Sequence, residues 1–181
     1  EAVAHLSEAI RLGDAAGTKM IAPRANIMIG RIRGRQGDVA EARRLIELGL
    51  EQASDIHGDA EIAEGEAQLG RLALRQGDAA VARRHFEAAL AIALEGNDRL
   101  AQIDALNLLG EAATAAGDTV RALELHTEAL GRADDSGFRI EIAKAHRGLA
   151  AAGLSGDTEA AATHRARAEA LFADIGIPAD D

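Results

Sequence analysis

The chain has 181 residues, 48% of them hydrophobic but only 2% aromatic, with two prolines and no cysteine. Its formal charge of −10 opposes the electrostatic attraction that draws proteins to nucleic acid or to anionic membranes. A disulfide framework and a thiolate metal site are excluded, and the longest apolar run, Ala88 to Leu94, is too short to cross a bilayer.

Abundant Ala, Leu, Glu and Arg favour helix over strand. In chain order the periodicity predicts helices over 1–16, 19–36, 39–56, 59–76, 79–96, 99–116, 119–135, 139–152 and 158–174. The first stands alone and matches the second helix of the pairs that follow. Stepping by 40 from Ala2 gives Ala42, Ala82 and Ala122, and from Ile10 it gives Leu50, Leu90 and Leu130. The first helix of each pair is equally regular. Ile29, Leu69, Leu109 and Leu149 share a column, and Gly30, Gly70, Gly110 and Ala150 follow in the next. A glycine inside a helix costs about 1 kcal/mol against alanine, so three in one column predict close approach of the paired helix.

The corners repeat as well. Gly37-Asp38, Gly77-Asp78 and Gly117-Asp118 recur at the period, and Gly156-Asp157 falls one residue short of it. Such a glycine can end a helix in the left-handed region, and the aspartate can cap the next helix. At the first of these corners Glu41 is expected to complete a capping box. The longer corners carry Gly17-Thr18, His57-Gly58-Asp59, Gly96-Asn97-Asp98 and Ser136-Gly137. A repeat of this length buries the apolar face of each helical pair by stacking it on its neighbours.

A small residue after Leu in the first helix, the Gly-Asp corner and the Ala…Ala-Leu pattern of the second helix resemble tetratricopeptide repeats, in a variety with a 40-residue period. The ending Ala170-Leu171-Phe172, followed by Ile175-Gly176-Ile177-Pro178, is similar to the last helix of arrays in large bacterial transcription regulators. The resemblance implies an all-α fold: a right-handed superhelix, or solenoid, of antiparallel helix pairs with about nine helices. It would be a single array over 1–181, with a half unit at 1–16, units at 19–56, 59–96, 99–135 and 139–175, and a tail at 176–181. Two departures stand out. The second-helix column that the family fills with a bulky apolar residue holds Ile46 and Phe86 but then His126, read here as a partly buried packing residue. The fourth unit carries Gly148 and Gly153, which predict a short, bent or frayed first helix.

The resemblance also implies a concave groove lined by the first helices. Mapped unit by unit, its ligand-facing residues include Arg24, Ile27, Arg31, Arg35, Arg71, Leu74, Arg75, Asn107, Lys144 and Arg147. With Glu64, Asp104 and Glu111 counted among them, these positions carry a net positive charge on an anionic chain. Arginine forks bind carboxylates and phosphates bidentately, so one reading is a site for an acidic or phosphorylated protein or peptide. The other is a solvated surface whose arginines are neutralised by those three acids.

The histidines His5, His57, His85, His126, His146 and His164 show no metal-ligand spacing, and His57 reads as a helix terminator. Phosphate loops, nucleophile elbows and zinc-hydrolase signatures are absent, so neither an enzyme nor a bound cofactor is expected. No secretion signal opens the chain, which reads as cytoplasmic, and its start at Glu1 inside a half unit predicts a piece of a longer protein. The expected function is therefore a protein- or peptide-binding scaffold without direct nucleic-acid or membrane contact. Its implied setting is the regulatory or sensory portion of a bacterial transcription regulator or signalling protein. A superhelix that senses a small molecule is one alternative. A spacer that dimerises through the apolar face of the first helix, with Leu6 and Ile10, is another.

Overall fold

The computed structural model describes residues 1–153 and 158–177, and among them are nine helices and no strand. They are α1 (Ala2–Ala15), α2 (Ala22–Arg35), α3 (Val39–Asp55), α4 (Asp59–Arg75), α5 (Ala79–Glu95), α6 (Arg99–Ala115), α7 (Thr119–Ser136), α8 (Arg139–Gly153) and α9 (Thr158–Ile175). They form two compact units that meet in sequence at Asn97 and Asp98. In the first unit α2 pairs with α3 and α4 with α5, while α1 packs on α2 and α2 on α4. In the second, α6 pairs with α7 and α8 with α9, while α7 and α6 both pack on α8. The all-α class and the stacked helical pairs expected from the repeat are both present.

The corners explain where the helices stop. Gly37, Gly77 and Gly117 have φ of +87°, +79° and +77°, the left-handed region that costs glycine nothing. The aspartate that follows caps the next helix: Asp38, Asp78 and Asp118 accept from the backbone N–H of Glu41, Val81 and Arg121. Replacing Asp78 by alanine is expected to cost about 1 kcal/mol. A lower denaturation midpoint with an unchanged slope would show it.

Two local expectations need correction. Helix α2 starts at Ala22 rather than at 19, with Pro23 in its first turn, where the missing N–H costs no intrahelical hydrogen bond. Glu41 does not complete a capping box, since its carboxylate binds Arg44 through two hydrogen bonds of 2.7 Å. At the corner after α3, His57 ends the helix as expected, in the left-handed conformation with φ +53°, while Gly58 occupies the next cap position and Asp59 is already helical. Asn97, not Gly96, is the left-handed residue at the next corner, with φ +51°. The Gly156-Asp157 corner lies outside the described residues.

The glycine column has a specific cause. Opposite Gly30, Gly70 and Gly110 stand Ile46, Phe86 and His126, each no more than 1% exposed. A methyl group on Gly30 would lie 2.6 Å from Ile46 Cγ1 and 2.9 Å from the Ala42 carbonyl oxygen. One on Gly110 would lie 2.5 Å from His126 Cε1, and one on Gly70 would overlap the Phe86 ring. The missing side chain on one helix is the space that the large side chain of its partner fills. His126 is thus fully buried rather than partly so, and Gly148 of α8 closes on its other side. Helix α8 runs from Arg139 to Gly153, two residues shorter than α6, in line with the short first helix expected in this unit.

Candidate recognition surface

Of the residues expected to face a ligand, the first unit holds seven. Arg24, Arg31, Arg35 and Arg75 are exposed on α2 and α4, and Arg71 and Leu74 are half-buried on α4. The spacing of Arg31 and Arg35, and of Arg71 and Arg75, puts each pair on one helix face. Gly34 then lets the two helices share them: a methyl group there would lie 2.7 Å from Arg75 Nη2, so this guanidinium rests against α2. Burial, followed by the charges of Arg71 and Arg35, holds the pKa of Arg75 below the ordinary arginine value. Guanidinium groups from two helices thus act on Arg75, and the one acid mapped to this face, Glu64, accepts a hydrogen bond from Gln68 at 2.7 Å.

Ile27 is different. It is 1% exposed and sits against Gly49 and Gly65, so it belongs to the core and cannot touch a ligand in this conformation.

In the second unit the mapped cations lie beside acids. Lys144 Nζ lies 2.8 Å from both Asp104 Oδ1 and Glu141 Oε1. Burial alone would lower its pKa, and the two carboxylates outweigh that, leaving it raised. Arg147 approaches Glu111 at 3.7 Å and lies over the Phe172 ring at 5.5 Å from its centre. Asn107 is 2% exposed and donates to Glu141, so it is committed inside the protein rather than offered to a peptide backbone. The positive surface counted from the sequence is therefore concentrated on α2 and α4.

Sequence reasoning missed Glu141, a carboxylate only 4% exposed. Its position three residues before Lys144 on one helix was the available signal. It also missed the pair His146 and His164, whose Nδ1 atoms lie 2.8 Å apart across α8 and α9. Eighteen residues separate them in sequence, so no local spacing could reveal the contact.

Other surfaces are less suited to ligands. A cleft of about 280 Å³ between α6 and α7 is lined by Arg99, Gln102, Ile103, Arg132, Asp135 and Ser136. That is at the small end for a ligand pocket, and it has a single apolar side chain where such pockets are mostly apolar. On α1, Leu6 and Ile10 are half-buried rather than open, while Leu12 is exposed. Among the described residues no cluster of three or more His, Asp or Glu is arranged to hold a metal ion. No described helix is long and apolar enough to cross a membrane.

Comparison with known proteins agrees with this architecture. The sequence model for the tetratricopeptide repeat matches residues 22–95 and 60–135. No curated protein matches the chain in sequence. In structure the chain is similar to BtubC (BKLC) from P. vanneervenii, with a TM-score of 0.71 at 17% identity, over 87% of this chain and 66% of that one. It is also similar to the apo form of RapI, with a TM-score of 0.67 at 17% identity, over 93% of this chain and 48% of that one. The chain thus spans two thirds or less of the length of either structure, and at this identity the likeness concerns the fold.

Proposed function

The chain belongs to the tetratricopeptide repeat family, and from that premise we propose that it is a protein-interaction scaffold that recognises an acidic segment of its partner. The recognition surface is the arginine face of α2 and α4. The observation that supports this reading is the gathering of arginines from two helices: Arg75 rests against α2 at Gly34, and burial, followed by the charges of Arg71 and Arg35, lowers its pKa. Like charges gathered on adjacent helices raise the energy of the free protein, and an anionic ligand relieves that energy on binding. Arginine is suited to the task, because its planar fork grips carboxylate or phosphate through two parallel hydrogen bonds. The half-buried Leu74 supplies apolar contact beside the cations. The setting we infer, from the resemblance of the last helix to those of regulator arrays, is the sensory part of a larger bacterial regulator.

The test is affinity capture with the full chain beside two charge-reversed variants, Arg31→Glu/Arg75→Glu and Arg83→Glu/Arg84→Glu. The second pair lies on α5 and is exposed. The partner held by the native protein should lose about ten-fold or more in affinity with the first variant and keep it with the second. Binding should also weaken as salt rises. Equal recovery with both variants would remove the arginine face from recognition.

A further inference from the structure

The two units bury different chemistry in the same structural column. In the first, the large side chains facing glycine are Ile46 and Phe86, which carry no proton. In the second the position is His126, 1% exposed and enclosed between Gly110 and Gly148. Its Nδ1 lies 3.3 Å from Asn107 Oδ1, so it donates there as a neutral imidazole, and its Nε2 is buried with no hydrogen-bond partner.

A proton added at Nε2 would find no acceptor. The one side chain bonded to the ring, Asn107 of α6, is tied in turn to Glu141 of α8, which with Asp104 holds Lys144, and the charge acting on the ring is that of Arg147 on α8, of the same sign. A second proton-sensitive contact lies nearby in the same unit. His146, 6% exposed on α8, shares its 2.8 Å Nδ1 contact with His164 of α9. One ring must donate and the other accept, so both cannot be charged while the contact lasts. The charged groups acting on His146 are His164 and Arg167 on α9, and Asp134 on α7.

We propose that the second unit is a proton-operated switch: acidification charges the enclosed His126, breaks the contact of His146 with His164, and opens α6–α9 while the first unit stays folded. The direction of the titration agrees. Burial, helped by Arg147, pushes His126 down to about 4, and burial followed by His164 and Arg167 lowers His146. The unfolded chain binds these protons near pH 6.5 and the folded one only at lower pH. Stability of the second unit is therefore full above about pH 7 and is lost progressively as pH falls toward 4. The first unit has no such group. His5 and His57 are exposed, and a charge on His85 would face the Glu66 carboxylate at 2.7 Å. Helical repeats touch only their neighbours, so one part of an array can open without the rest.

Amide hydrogen exchange of the full chain, expressed as protection factors at pH 7.5 and pH 5, tests the proposal. His126 alone should lower protection in α6–α9 by about 30-fold over that interval. Protection in α2–α5 should change by less than about three-fold. His126→Phe, which installs the Phe86 side chain of the same column, should remove most of the fall. His164→Gln, which keeps a hydrogen-bonding group beside His146 without its charge, should reduce it further. An equal fall in both units would overturn the proposal, as would a fall in α6–α9 that persists undiminished in both variants. Should His126→Phe not fold, the native profile and His164→Gln still decide.

Discussion

Replacing Phe86 by alanine is expected to remove about 3–5 kcal/mol of stability, the largest loss from any single truncation in the first unit. The ring is fully buried and fills the place left by the absent side chain of Gly70. Its removal opens a cavity that the α4–α5 pair can close only in part. A second substitution separates this from a general loss of hydrophobicity. Gly70→Ala in the native protein drives a methyl group into the ring and should destabilise by about 1–3 kcal/mol. In the Phe86→Ala background the same change meets no ring, and the better helix propensity of alanine should make it neutral or favourable by up to about 1 kcal/mol. Chemical denaturation of the four proteins in a double-mutant cycle measures the coupling. Additive effects would show that the two residues do not share one space.

Truncating Lys144 to alanine is expected to cost about as much, roughly 3–5 kcal/mol, for an electrostatic reason. Its ammonium is the common partner of Asp104 and Glu141, and Glu141 is almost wholly shielded from water. Without the lysine a buried carboxylate keeps its desolvation cost and loses its counter-charge. Replacing all three charges together, as Asp104→Leu/Glu141→Leu/Lys144→Met, should be close to neutral, because apolar groups of similar volume need no pairing. Thermal unfolding of the single and triple variants at pH 7 distinguishes the cases. A single variant as stable as the native protein would show that water reaches Glu141.

The repeat made most of the architecture legible before any coordinates. Column positions such as Gly70 and Asp78 recur because each performs the same local task in every unit, and a period exposes such tasks directly. The i,i+4 spacing put Arg31 with Arg35, and Arg71 with Arg75, on shared helix faces. It could not tell which mapped side chains remain at the surface. Ile27 was expected beside its neighbouring arginines, yet Gly49 and Gly65 leave room that draws it inward, where burial is worth about 1.5–3 kcal/mol. Asn107 and Lys144 were mapped outward because Glu141 was not recognised as their partner. That pairing depends on how α6 lies against α8, which no column of the repeat encodes. The glycine column was read as an approach of two helices, and the size of the residue opposite proved to be the deeper reason.

The stacking of each helix on near neighbours along the chain also has a consequence in time. Within each unit the links that close the structure are short. The side-chain hydrogen bond between Lys144 and Asp104, for example, spans 40 residues, one repeat. Closing short loops costs little entropy, and helical proteins rich in such contacts fold in microseconds to milliseconds. Synthesis adds only about 5–20 residues each second. Each helical pair can therefore form as soon as its second helix is available, and the chain need never wait with its apolar faces bare for a distant segment to be made.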